Sequence, residues 1–323
     1  MVSFHVMEDS KYGERRVLIL TDGKAGHENQ SKAFVRALGC SFDMVAVRFK
    51  SRLAKATSYV LDRLGVMSLG LMEFPENPDF PETLGREYTA VVGTGSGTFY
   101  AVKTLARKLG VKSGVVLTPS GYDLVTFDCI LSPSFDNPPK MQNIVEIPAN
   151  LVAADAEFYE KGVAVFRERT DVVPETAVII GGPNKCSTMT PEWMRGCLDE
   201  IFACPGVKAV TTSRRTPPDV EAVVDSYPWD YRLIYSRDNF NPIPAFVSLA
   251  KRLYVTAEST GMLSEACTSG SAKVIALDNL KPGPSKFRRF VDGLRDGGYV
   301  DGSRKIDLSA QFEAARRLMG LCP

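Results

Sequence analysis

The chain has 323 residues, 44% hydrophobic and 24% charged, with a formal net charge of +1; this balance excludes a disordered or fibrous chain and one that binds nucleic acid by bulk phosphate attraction. No apolar run approaches the roughly 20 residues that span a bilayer, and residues 1–16 lack the features of a signal or transit peptide, so a cytoplasmic protein is expected. Seven scattered cysteines with no C-x-x-C pair fit reduced thiols, and with His5 and His27 as the two imidazoles no metal site and no cofactor is expected.

Along the chain, short aliphatic runs alternate with segments of helical period, the pattern of βα units around a sheet covered on both faces. Strands are predicted at 17–21, 43–47, 89–95, 113–118, 128–133 and 143–148. The intervening QSKAFVRALG, RLAKATSYVLDRLG and SGTFYAVKTLARKLG read as helices that each end at a capping Gly. FPENPDFPE (74–82) reads as an exposed Pro-rich loop. A charged helix and loop at 153–175 is taken as the linker from a first domain (1–152) to a second (176–304). Further strands are expected there at 176–183, 207–213, 231–236, 252–259 and 272–277, with helices starting near Pro191, Pro217, Pro244 and Gly261. The C-terminal helix, 305–323, is assigned to pack back on the first domain.

Ligands of open α/β sheets sit at the carboxyl ends of strands, so the loops there carry the candidate chemistry. TDGKAGHENQ (21–30) follows the first strand. Gly23 and Gly26 let backbone N–H groups approach a ligand, Lys24 and Gln30 add polar groups, and His27 is placed to take a proton. Asp22 or Glu28 serves as base instead, or orients the imidazole. A plain turn with a solvated histidine accounts for the same residues. TGSGT (94–98) offers Gly95 and Ser96 to a sugar or phosphate, or only a helix cap, whereas SPSFDNPP (132–139) reads as an ordinary Asx/Pro turn.

In the second half, GGPNKCS places Gly182 and Lys185 after a strand, and TTSRRTPP places Ser213, Arg214 and Arg215 there, suited to a diphosphate. VTAESTGMLSEA ends a strand at Glu258, Ser259 and Thr260 and opens a helix at Gly261, with Ser264 and Glu265 one turn in. Hydroxyls and N–H groups at such a start suit a phosphate, and a carboxylate one turn in can accept both ribose hydroxyls; a capping box is the competing explanation.

In this order, over nearly the whole chain, TDGKAGHENQ, GGPNK, TTSRRTP and VTAESTGMLSEA with KVIAL and KFRRF resemble the family named for the plant mitochondrial fission factor of elongated mitochondria, which has many bacterial members. That family is similar in layout to GT-B glycosyltransferases and nucleotide-sugar 2-epimerases. The resemblance implies an α/β, GT-B-like fold of two Rossmann-like domains with parallel sheets facing a central cleft. It implies a metal-independent glycosyltransferase whose second domain holds a sugar nucleotide through Gly182, Lys185, Ser213, Arg214, Glu258, Ser259, Thr260, Gly261, Ser264 and Glu265. The first domain then holds a glycan or lipid-linked acceptor with Gly23, Lys24, Gly26, Gln30, Gly95 and Ser96, and supplies His27, Asp22 and Glu28 for catalysis.

Two other functions fit the resemblance: a non-catalytic recruitment protein of the fission type, and a nucleotide-sugar epimerase, against which the shortage of histidines counts. Lys273 departs from the family pattern, standing before Val274 where Pro is common, and with no mitochondrial targeting segment the chain looks more like a bacterial member. RFKSRLAKATSYVLDRLGVMSLGLM (48–72) is basic and amphipathic. It reads either as a core helix with an apolar loop or as a segment that lies on anionic lipid, which would place the protein at the inner face of the membrane.

Overall fold

Four fully buried aliphatic residues, Val17, Leu18, Ile19 and Leu20, form the centre of strand β1 (Gly13–Thr21). A strand apolar on both faces is stable only in a sheet covered from both sides. The computed structural model, which describes residues 13–76, 80 and 88–321, supplies that sheet and its cover. After β1 come α1 (Ala25–Leu38), β2 (Cys40–Ala46), β3 (Arg48–Phe49), α2 (Arg52–Arg63), β4 (Met72–Glu73), β5 (Tyr88–Thr94), α3 (Phe99–Leu109), β6 (Lys112–Val116), β7 (Cys129–Pro133) and β8 (Ile144–Ile147). Six strands pair in parallel in the order β2-β1-β5-β6-β7-β8, and β3 and β4 make a separate antiparallel ribbon.

The chain continues through α4 (Ala156–Arg169), β9 (Thr176–Ile179), α5 (Pro191–Phe202), β10 (Lys208–Thr211), α6 (Pro218–Asp225), β11 (Tyr231–Leu233), α7 (Ile243–Leu249), β12 (Arg252–Thr256), α8 (Thr260–Thr268), β13 (Lys273–Leu277), α9 (Lys286–Asp296) and α10 (Ser309–Leu318). A second all-parallel sheet has the order β11-β10-β9-β12-β13. The chain divides into two compact units. One takes the described residues up to Ile147, Leu151–Ala153 and the chain from Leu308; the other takes Pro148–Asn150 and Ala154–Asp307.

The eleven aliphatic runs all form strands, but the run 176–183 stops at Ile179. Past it the Gly181 and Gly182 N–H groups leave the ladder for side-chain acceptors, Thr256 Oγ1 and Glu258 Oε1. Helix α1 starts at Ala25, earlier than the periodicity of QSKAFVRALG implies, so His27, Glu28 and Gln30 ride on its first turns rather than on a loop. It ends at Gly39, whose φ of 76° satisfies the last carbonyls.

Two expectations change. The segment 153–175 is not a free linker: α4 belongs to the second unit, with Phe166 fully buried against Tyr231 and Phe246 at ring-centroid distances of 4.8 and 5.8 Å. The Pro-rich stretch is not simply exposed, because Phe74 and Phe80 are buried with centroids 4.7 Å apart. KFRRF opens a helix, α9, capped by the Ser285 hydroxyl. His5, Cys322 and the remainder of the Pro-rich stretch lie outside the described residues.

Each sheet reverses its strand order once, at β1/β5 in the first unit and at β9/β12 in the second. The loops leaving such a pair at its carboxyl ends diverge to opposite faces, and the crevice they open is where open α/β sheets bind ligands.

Candidate functional site

In the first unit the loops after β1 and β5 leave the sheet side by side, because the two strands are bonded neighbours. His27, in the first turn of α1, places Nδ1 2.9 Å from Asp22 Oδ1 and 3.1 Å from Oδ2. An ionised carboxylate only accepts, so Nδ1 donates, and in the neutral imidazole the lone pair is then on Nε2. Among the described residues nothing bonds Nε2, and the imidazole is 23% exposed against 9% for Asp22. Burial pushes the Asp22 carboxyl up, but the bonds and charges of Lys24 and His27 outweigh it and hold it below its ordinary value; Lys24 Nζ donates to Oδ2 at 2.9 Å.

The loop after β5 is the seat of this pair. Gly95 has φ +86°, and a Cβ there would lie 2.2 Å from His27 Cε1, so only glycine lets the ring rest on this backbone. A Cβ on Gly97 would likewise come 2.8 Å from that of Asp22. Gly95 is therefore a support for His27 rather than an open acceptor contact. Ser96 Oγ accepts from Lys55 Nζ at 2.9 Å, which ties α2 to the same loop.

Glu28 is placed apart from the pair. It accepts the Thr21 hydroxyl at 2.9 Å, and that oxygen accepts the Gly23 N–H at 3.0 Å, so Glu28 fixes the turn. Space lies open beside Gly23 and Gly26, where a Cβ would meet nothing within 4 Å, and Gln30 Oε1 is buried without a partner among the described residues. A neutral imidazole whose Nδ1–H is held by a carboxylate can accept a proton from a hydroxyl at Nε2.

In the second unit β9 and β12 are neighbours, and their loops are joined by Glu258. Only 2% exposed, its carboxylate accepts Gly182 N–H at 2.7 Å, Thr256 hydroxyl at 3.1 Å and Asn279 Nδ2 at 2.7 Å. Gly182 itself packs on the next loop: a Cβ would lie 2.1 Å from the Arg215 carbonyl oxygen. Neither the Glu258 carboxylate nor the Gly182 amide is open to a ligand. Both hold the loops together, with the Thr216 hydroxyl donating to the Gly181 carbonyl at 2.6 Å. Ser264 is also engaged, donating to the Thr260 carbonyl at 2.6 Å and accepting Asn150 N–H at 3.1 Å.

What stays presented is the start of α8. Ser259 makes no side-chain cap there, and the first-turn N–H groups of Thr260, Gly261 and Met262 have no acceptor within the helix. A Cβ on Gly261 would meet nothing within 4 Å. Glu265 follows one turn on, accepting the Tyr159 hydroxyl at 3.2 Å; burial pushes its carboxyl up and Tyr159 opposes the rise. Arg214 and Lys185 are exposed on the two loops after β10 and β9, and Ser213 is half-buried, its N–H bonded to Thr216 Oγ1. Among the described residues no group of three or more His, Cys, Asp or Glu side chains is set to hold a metal ion.

Sequence reasoning misses Gly97, Asn279 and Tyr159, and it groups Thr216 with the diphosphate loop where its hydroxyl instead ties that loop to Gly181. Only Asn279 carried a usable signal, its place just past the end of a strand that adjoins the switch point.

Several solved structures share this architecture. UDP-GlcNAc 2-epimerase from Methanocaldococcus jannaschii is 14% identical, with 95% of this chain and 99% of that chain covered and a TM-score of 0.54. For UGT89C1 of Arabidopsis thaliana the values are 11%, 96%, 93% and 0.52. For UDP-GlcNAc 2-epimerase from Neisseria meningitidis, bound to UDP-GlcNAc, they are 12%, 94%, 98% and 0.50. The likeness is one of fold, the GT-B-like α/β fold with parallel sheets. In sequence, protein RP120 of Rickettsia prowazekii is 29% identical over 139 residues, 41% of this chain, and the match spans 39% of that relative's length. A family model described as Mitochondrial fission ELM1 matches residues 25–316, and with most of its length so matched the chain belongs to the mitochondrial fission ELM1 family.

Proposed function

We propose that the chain is a glycosyltransferase that moves a sugar from a sugar nucleotide to the hydroxyl of a glycan or lipid-linked acceptor. The observation that carries the reading is the Asp22–His27 pair, seated on Gly95 with Nε2 free at the carboxyl ends of β1 and β5. In the transfer the acceptor oxygen attacks the anomeric carbon, its bond to the diphosphate breaks, and the nucleotide leaves with the electron pair. His27 Nε2 takes the acceptor's proton, and Asp22 stabilises the imidazolium that forms.

The second unit is assigned the donor. The N–H groups of Thr260, Gly261 and Met262, with Arg214 and Lys185, stabilise the diphosphate, and Glu265 accepts ribose hydroxyls. Support comes from a fold shared with a structure that holds UDP-GlcNAc. Gly23, Lys24, Gly26 and Gln30 are assigned to the acceptor. No metal or cofactor enters the proposal.

The test is a thermal-shift screen against nucleoside diphosphates and CMP, followed by turnover assays with the sugar nucleotide of whichever base binds. A ligand that binds the native state alone raises the unfolding temperature. His27→Ala should keep the nucleotide shift and lose turnover, and Glu265→Ala should weaken the shift. No shift with any nucleotide, or full turnover in the His27 variant, refutes the proposal. Conversion of the sugar nucleotide without an acceptor would instead mark an epimerase.

A further inference from the structure

Helix α2 packs inward with a mixed side, Tyr59 and Leu61 half-buried against the core beside two polar residues that are buried outright. Its two buried residues are Ser58 and Asp62. Ser58 Oγ lies 2.9 Å from the Tyr122 hydroxyl, and Asp62 accepts Lys103 Nζ through Oδ1 and the Asp123 N–H through Oδ2, both at 2.6 Å. On the opposite side, Leu53, Val60 and Leu64 fall within about 40° of one another at 3.6 residues per turn. They are 76%, 57% and 69% exposed. Val66 just beyond the helix is exposed too, as is Val125 on the short turn that Asp62 grips through Asp123.

Charge around this stripe is mostly positive, although Arg48 is paired with Glu73 and the Asp123 carboxylate is exposed beside Val125. Residues 48–72 hold five cations, Arg48, Lys50, Arg52, Lys55 and Arg63, and a single carboxylate, Asp62, which is buried. Arg52 and Arg63, both exposed, flank the stripe along one shoulder, and Lys50 stands just before the helix. Asp123, beside Val125, is bonded to the Val125 N–H.

Burying an ion pair while leaving three aliphatic side chains in water reverses what folding in water alone favours. An apolar phase against the outer face would remove that cost. The stripe is wholly aliphatic, without the aromatic anchors that concentrate energy at protein interfaces. Its cations match a layer of anionic headgroups, and an aliphatic face with a basic shoulder is the make-up of a helix that lies in a bilayer interface. We infer that the outer face of α2, with Val125, docks on an anionic lipid bilayer, Leu53, Val60 and Leu64 entering the acyl boundary while Lys50, Arg52 and Arg63 meet lipid phosphates. Among the described residues no helix is long and apolar enough to cross a membrane, so this contact is peripheral. It goes beyond the glycosyl-transfer reading and does not depend on it.

The experiment is co-sedimentation of the full chain with vesicles of phosphatidylcholine and phosphatidylglycerol in equal parts, and with phosphatidylcholine alone, at low and high salt. The chain should sediment with the mixed vesicles and much less with the neutral ones, and salt should release it. The L53S/V60S/L64S variant should lose about tenfold or more in partition, and R52Q/R63Q should flatten the salt dependence. All five side chains are exposed, so the thermal midpoint should stay put in both variants, and circular dichroism checks this.

A chain left in the supernatant with the mixed vesicles, or a triple variant that sediments like the wild type, overturns the inference. So does a wild-type dimer in gel filtration that the triple variant converts to monomer, since a second copy would then cover the stripe. His27→Ala should sediment as the wild type does, which keeps this result separate from the fate of the catalytic proposal.

Discussion

Replacing Asp62 by Ala should destabilise the first unit by about 3–4 kcal/mol, at the lower end of what breaking a buried ion pair costs. The Asp62 side chain is fully buried, and that of Lys103 is 3% exposed. Without the carboxylate, the ammonium keeps the Asp123 carbonyl at 2.9 Å and the Phe127 and Tyr122 rings at 4.5 and 6.0 Å, while the Asp123 N–H loses its acceptor. A cavity of about 290 Å³ lined by both residues admits water that relaxes part of the orphaned charge, hence the lower end. Against a total of roughly 5–15 kcal/mol this is a large fraction.

Burial already pushes the Lys103 ammonium below its ordinary range, with Asp62 opposing the fall. In the variant the folded value drops further. The unfolded chain then binds more protons between that value and about 10.4, so the variant's stability should rise with pH across that window. The double variant D62L/K103M removes both charges and should recover part of the loss, leaving about 1–2 kcal/mol for the unpartnered Asp123 amide. Urea unfolding followed by circular dichroism measures all three. A D62A loss below about 1 kcal/mol, or a double variant no more stable than D62A, would refute the idea that this pair holds the Ser58 and Asp62 side of α2 inward.

Gly95→Ala should cost about 1–2 kcal/mol from its positive φ alone, and its Cβ should push the His27 ring off Asp22; shifted His27 ring resonances in NMR, with turnover falling as in His27→Ala, are the expected signs. The Asp22 carboxyl is held below its ordinary value, so its contribution to stability should be full above about pH 4. It should be lost as pH falls through the lower folded value, and an Asp22→Asn variant should lack this step in acid unfolding curves. Burial pushes Cys129 and Cys267 up to about 12 and Cys197 to about 11, whereas Cys204 is exposed. An aromatic disulfide reagent at neutral pH should label Cys204 in the native protein, and Cys129 and Cys267 only after denaturation.

The strands were legible because a strand buried on both faces is a contiguous aliphatic run, as in Val17 to Leu20. The Asp22–His27 pair was legible as a neighbourhood, since both sit within one loop and the first turn behind it. Its seat was not, because what makes Gly95 necessary is the ring of a residue on another loop. Glu258 and Gly182 show the same limit more sharply. A carboxylate after one strand and paired glycines after another are what a bound nucleotide needs, and also what two loops need in order to pack on each other. The deciding facts, the Gly182 amide on Glu258 and the Arg215 carbonyl against Gly182, are contacts between distant segments.

Helix α2 extends the point from a site to a surface. Its period tells which residues share a face, and Leu53, Val60 and Leu64 plainly do. Period is silent on which face turns inward. That choice belongs to Tyr122, Lys103 and Asp123, polar partners waiting on other elements for Ser58 and Asp62. Where those partners outbid the hydrophobic stripe, an apolar face is left in solvent, and the ordinary inference from amphipathicity to core reverses into an inference about what the protein touches.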